Sequence, residues 1–161
     1  MSAILYDAPV GRLLLTAEQG MLTGLYFQCE KAVQPSSPYE VGMVKNEDVP
    51  VLNKTEKELD AYFEGKLKQF TVPLCLKGTD FRKSVWEALR TIPYGETINY
   101  KQLAERINYH LAIRAVGGAN HHNPISIIVP CHRVIGADGK LTGYGGGLDA
   151  KQFLLDLEKT S

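Results

Sequence analysis

The chain has little cysteine: Cys29, Cys75 and Cys131 are its only three in 161 residues. An odd number at long spacings makes a disulfide framework a poor reading and points to a reducing, cytoplasmic compartment. No apolar run approaches the ~20 residues needed to cross a bilayer, and Met1–Asp7 has no basic segment leading into an apolar stretch, so neither a membrane anchor nor a signal peptide is expected. Net charge is also missing, with 18 basic against 18 acidic side chains. What is present is an ordinary globular composition, 44% hydrophobic and 22% charged, enough for one large domain or two small ones. The balance of charge is global, not local. Between residues 82 and 133, Arg82, Lys83, Arg90, Lys101, Arg106, Arg114 and Arg133 face only Glu87, Glu96 and Glu105, a local positive field of the kind a phosphate backbone attracts.

Two halves of different character follow, an α/β (α+β) chain with a boundary near Gly78. In residues 1–78, Ile4–Tyr6, Arg12–Thr16 and Gly24–Phe27 are short apolar runs separated by turn residues, which predicts a small antiparallel meander. Residues 31–50 read as a polar loop. Leu52, Thr55, Leu59, Tyr62 and Phe63 recur at helical spacing, predicting a helix over 51–64 that Gly65 ends. Val72–Leu74 reads as an edge strand at most. In residues 79–161, Thr79 caps a helix whose face is Phe81, Val85, Trp86, Leu89 and Ile92. Asn99, three residues before Gln102, opens a second helix as a capping box, and Asn108–His110 turns the chain into a third helix, Leu111–Asn120, with Leu111, Ala115, Val116 and Ala119 apolar. This pair is a helix-turn-helix candidate in a winged-helix-like arrangement. Ile125–Val129 reads as a buried strand, Gly136–Gly139 as a tight turn and Gly143–Gly147 as a flexible loop. Asp149 is expected to cap a last helix with Phe153, Leu154 and Leu157 inward.

Cys131 is the residue with chemical promise. A cysteine alone reads first as a buried structural thiol, but Pro130 turns the backbone before it, and His132 and Arg133 supply a base and a positive charge, the conditions that favour a thiolate. Adjacent residues of an extended chain point to opposite sides, so either the chain turns at Pro130 or a water joins the two groups. The ligand spacings of a zinc site are missing around Cys131-His132 and His121-His122, and no metal or cofactor is expected. The glycine cluster 143–147 lacks the lysine and hydroxyl of a phosphate loop.

Pro130-Cys-His-Arg-Val134, preceded by Arg114-Ala-Val-Gly-Gly-Ala-Asn120 and Asn123-Pro124, resembles the signature of the O6-alkylguanine-DNA alkyltransferases, the methylated-DNA–protein-cysteine methyltransferases. Thr79-x-Phe81, Val85-Trp86, Ile92-Pro-Tyr-Gly95, Tyr100-x-x-Leu-Ala104, Gly143-Tyr-x-Gly-Gly147 and Lys151-x-x-Leu-Leu155-x-x-Glu158 fall in the same order as in that family, across nearly all of 79–161. The resemblance implies DNA repair by direct reversal: irreversible transfer of the alkyl group from O6-alkylguanine, or O4-alkylthymine, to the protein's own cysteine, in a single turnover. Cys131 would be the acceptor, relayed through water to His132 and Glu158, with Asn123 tying the active-site turn and Tyr100 hydrogen-bonding the departing purine. The carbonyls of Cys131 and Val134 would read the guanine amino group. Tyr144, Gly145 and Gly146 would form a pocket wall, with the Gly145 N–H near O6, and Ser126 would also line the substrate pocket. Arg114 would fill the space left by an extruded base. Ala115, Gly117, Gly118 and Ala119, with Tyr100, would let the helix lie close in the minor groove of double-stranded DNA. A monomer is expected. The chain departs from the family pattern in the Asn108–His110 turn, where Asn108 can take a left-handed conformation, and at Gly145 and Ser126, where some members carry serine and proline.

Overall fold

The computed structural model describes residues 2–27, 43–109 and 111–160. Cys29, His110 and most of the expected 31–50 loop lie outside the described residues. The chain divides into two compact units, one running to Leu76 and the other spanning Lys77–Thr160.

In the first unit β1 (Ser2–Ala8), β2 (Gly11–Glu18) and β3 (Met21–Phe27) form an antiparallel sheet in the order β1-β2-β3. The β2–β3 turn is tight because Gln19 and Gly20 both take positive φ, 53° and 76°, the pattern that matches strand twist in a hairpin. The helix α1 (Val49–Phe63) begins with proline in its first turn, where a missing N–H costs nothing, and packs Val51, Leu52, Leu59 and Tyr62 into the core with Leu13, Leu15, Leu25 and Phe27. Gly65, at φ 76°, ends it. A buried Asp48 joins three segments: it accepts from the Ser2 hydroxyl and, at 2.9 Å, from the Gly20 N–H. The expected edge strand is a single parallel bridge, Leu22 to Leu74.

The second unit is helical. Thr79 caps α2 (Asp80–Leu89) by accepting from the Arg82 N–H at 3.1 Å. α2 stops three residues short of Ile92, which stays in the core through one tighter turn, its N–H bonded to the Leu89 carbonyl at 3.1 Å. β4 (Ile98–Asn99) leads into α3 (Tyr100–Arg106), and the Asn99–Gln102 capping box forms in both directions. Asn108 takes φ 62° and turns the chain into α4 (Ile113–His121). α2, α3 and α4 pack on one another around Val85, Trp86, Leu103 and Val116, and the Trp86 indole N–H donates to the Ala119 carbonyl at 2.9 Å. β5 (Val134–Ile135) pairs in parallel with β4, and α5 (Leu148–Thr160) follows.

Several local expectations change. Ile125–Val129 is no strand but a chain of tight turns: the Ile128 N–H bonds the Ser126 carbonyl at 2.8 Å, and Ile127 between them sits at φ 71°. The Gly143–Gly147 segment is closed by a turn, with the Gly147 N–H on the Tyr144 carbonyl at 2.9 Å. Asp149 lies inside the first turn of α5, and Phe153 is 40% exposed. The buried stripe of α5 instead runs through Lys151, Leu154, Leu155 and Glu158. At the other end of the helix pair, Leu111 is fully exposed and Ala115 lies at the surface.

Candidate active site

Three features of backbone geometry deliver Cys131. Asn123 clamps the turns before it: its side-chain N–H donates to the Val129 carbonyl at 2.7 Å and its side-chain oxygen accepts from the Ile125 N–H at 3.0 Å. Pro130, at φ −81° and ψ 65°, makes a three-residue turn in which the Cys131 N–H bonds the Val129 carbonyl at 2.8 Å. Cys131–Arg133 then form one short 3-10 turn before β5. The chain therefore does turn at Pro130, so Cys131 and His132 are not the opposed neighbours of a strand. Ile127 is a β-branched residue in the left-handed region, a costly conformation that persists only where the surroundings impose it.

Cys131 is 6% exposed, and His132 and Glu158 are buried behind it. His132 Nε2 lies 2.7 Å from Glu158 Oε2. Burial lowers the imidazole pKa from its ordinary 6.5, reinforced by the charges of Arg133 and Lys151, while Glu158 opposes the fall. Burial alone would raise the Glu158 carboxyl, but the hydrogen bonds and charges of His132 and Arg133 outweigh it and hold it well below the usual carboxylate range. An ionised carboxylate only accepts, so a neutral His132 carries its proton on Nε2 and presents Nδ1 as a bare acceptor. Among the described residues Nδ1 is buried with no hydrogen-bond partner.

Arg133 is more than a source of charge. Its Nε donates to Glu158 Oε1 at 2.8 Å, its Nη2 to Oε2 at 3.1 Å, and its Nη1 to the Ile92 carbonyl at 2.7 Å. This two-pronged grip fixes the carboxylate that orients the histidine. Lys151 is fully buried, and its Nζ donates to the carbonyls of Val134 at 2.7 Å and Thr142 at 3.3 Å. Burial lowers its pKa, while the Cys131 sulfur acts in the opposite direction. The sequence points to Arg133 only as a positive charge beside the thiol, and gives Lys151 no role in the site. The only signal for Lys151 is its register: it lies two helical turns from Glu158 on the face of Leu154 and Leu155.

The pairing of β4 with β5 sets Ile98 against Val134 and Asn99 against Ile135. That register carries Tyr100, the first residue of α3, to the active-site strand. Its hydroxyl lies 2.6 Å from the Thr142 hydroxyl. A Cβ placed on Gly117 would touch the Tyr100 ring at 3.7 Å, so α4 backs the ring there. Ser126 is buried in the turns before Cys131, and Tyr144, Gly145 and Gly146 are half-buried in the turn before α5. On α4, Arg114, Ala115 and Gly118 lie at the surface, but Ala119 is buried against α2 and does not share that face.

A helix-turn-helix pair joined to a buried cysteine, with a neutral imidazole held by an arginine-gripped carboxylate, defines a DNA-associated protein with cysteine-centred chemistry. The family models agree. Residues 80–160 match the DNA binding domain of 6-O-methylguanine DNA methyltransferase, and residues 1–76 its ribonuclease-like domain. The methylated-DNA–protein-cysteine methyltransferase of Mycobacterium tuberculosis is 50% identical over 154 residues, 96% of this chain and 90% of that protein. The protein of that name from Methanosarcina acetivorans is 48% identical over 155 residues, 96% of each chain. The crystal structure of Mycobacterium tuberculosis OGT in complex with DNA superposes with a TM-score of 0.87 at 46% identity, covering 99% of this chain and 94% of that one. The chain belongs to the 6-O-methylguanine DNA methyltransferase family, with the family's activity: DNA repair by transfer of an alkyl group from alkylated guanine to a cysteine of the protein itself.

Proposed function

We propose that Cys131 is the acceptor and that it takes the O6-alkyl group of guanine once and irreversibly. The observation that carries this reading is the bare Nδ1 of a buried, neutral His132 whose other nitrogen is fixed on Glu158. A water joining Cys131 to Nδ1 passes the thiol proton to the imidazole. The sulfur electron pair then forms the S–C bond, the C–O6 bond breaks, and its electrons go to the purine. The imidazolium is left against the Glu158 carboxylate, and the Tyr100 hydroxyl hydrogen-bonds the departing base. Asn123 holds the turn that aims the sulfur. The carbonyls of Cys131 and Val134 read the guanine amino group; the Val134 oxygen, already accepting from Lys151, keeps a second lone pair for it. The Gly145 N–H serves O6, and Tyr144, Gly146 and Ser126 wall the pocket.

The buried position of Cys131 means that the base must leave the duplex to reach it. Arg114 plugs the gap, and Ala115 and Gly118 let α4 approach the minor groove. The Leu111 and Ile113 side chains, 101% and 41% exposed beside Arg114, support a groove-entering edge, since apolar side chains serve there as wedges. Gly117 backs Tyr100 and Ala119 backs Trp86. The protein acts as a monomer in the cytoplasm on double-stranded DNA and needs no cofactor; no helix among the described residues is long and apolar enough to cross a membrane. Mixing the protein with duplex containing O6-methylguanine should add one methyl per chain by intact mass, located on Cys131 by digestion. Continuing turnover, or methyl on Cys29 or Cys75, would overturn the reading. Cys131→Ser should abolish transfer and keep DNA binding.

A further inference from the structure

We infer that Thr142 is a positioning residue for the reaction, holding the Tyr100 hydroxyl in place and donating to it as the purine departs. The inference rests on the role proposed for Tyr100. The two hydroxyl oxygens are 2.6 Å apart, and either can be the donor.

Thr142 is itself held at its carbonyl and at its methyl. Its carbonyl accepts from the buried Lys151 ammonium at 3.3 Å, which fixes its backbone to the α5 stripe. Its methyl carbon lies 3.5 Å from where a Cβ on Gly136 would sit, so the methyl has a defined seat over that glycine. Its β-branched side chain is stiff at χ1. With the methyl seated and the rotamer restricted, the hydroxyl has one direction left, toward Tyr100. The ring of Tyr100 is in turn backed by Gly117.

The pair has a donor conflict that the reaction resolves. A phenol is the stronger acid of the two hydroxyls, so at rest Tyr100 donates and Thr142 accepts. When a flipped guanine enters, the Tyr100 O–H must turn to the purine. The Thr142 oxygen then loses the bond it accepted, and its own O–H rotates to donate to the phenol oxygen, which has a lone pair free for it. As the C–O6 bond breaks and its electron pair moves into the purine, charge is drawn along the Tyr100 hydrogen bond, and a donor behind the phenol oxygen strengthens that bond. No proton leaves Thr142, and the change is complete when both hydroxyls have turned.

The test is single-turnover methyl transfer from O6-methylguanine duplex over a range of DNA concentrations, read by intact mass. Thr142→Val keeps the shape and removes the hydroxyl. It should lower the limiting rate by about 3- to 10-fold, the worth of one ordinary hydrogen bond, and leave the half-saturating DNA concentration unchanged. Thr142→Ser, which restores the hydroxyl, should recover most of the rate. In a Tyr100→Phe background Thr142→Val should have no further effect. An unchanged rate, an equal loss in the Tyr100→Phe background, or a failure of serine to rescue would each overturn the inference. If Thr142→Val does not fold, the decision passes to Thr142→Ala against Thr142→Ser in both backgrounds, with the same outcomes. Wild-type protein that leaves Cys131 unmethylated would overturn the proposed function and this inference with it, whereas the outcomes above, obtained with an active wild type, overturn this inference alone.

Discussion

Glu158 serves two basic partners at once. Replacing it with glutamine keeps the volume but leaves the buried Arg133 guanidinium without a countercharge, a loss of about 3–5 kcal/mol where a buried ion pair is broken from one side. Glu158→Gln should therefore lower the urea midpoint sharply and slow methyl transfer, and a variant with full stability would contradict the two-pronged contact. The pH dependence follows from the same residues. The folded His132 resists protonation, so below 6.5 the unfolded chain takes up a proton that the folded chain refuses, and stability falls with pH from there. Glu158, held ionised, extends the loss as pH falls below its ordinary 4.5. Urea midpoints at pH 7.5, 6.0 and 5.0 should descend in that order. His132→Gln should flatten the step between the first two. Transfer should stay level with pH down to below 6.5, because the imidazole remains neutral there.

The helices were legible because their boundaries are local chemistry. Thr79, and Asn99 with Gln102, announce helix starts by what their side chains can accept, and the structure forms those caps. Asn108 announces a left-handed turn in the same way. The Ile125–Val129 segment announces nothing of the kind: its run of branched apolar residues fits a strand or any buried segment, and an isoleucine at positive φ has no sequence marker such as glycine or asparagine provides. Phe153 was misplaced for a related reason, since a stripe that includes a lysine and a glutamate does not look apolar. Leu111 counts with the apolar face in the sequence because an exposed leucine carries no mark of its own. For α4 the expected behaviour follows from the proposed extrusion of the base. Arg114→Ala should slow repair in duplex DNA much more than transfer from a free alkylated guanine, because unstacking costs a few kcal/mol that only the duplex reaction meets. Equal slowing on both substrates would place Arg114 in the pocket or in folding.

The whole molecule spends itself in one reaction, so its capacity is its copy number. A burst measured against added protein should plateau at one methyl per chain, and a second portion of damaged DNA should give nothing more. The thiol and the carboxylate that sets its histidine come from segments separated along the chain, Cys131 in the 3-10 turn and Glu158 in α5. During synthesis the cysteine is made first, and it emerges with neither an oriented base nor a neutralised arginine. A product that terminates between the two residues should take up no methyl, a loss measurable on the purified fragment. Interrupted translation therefore releases inert thiols rather than half-active ones, and alkyl groups are drawn only to finished chains.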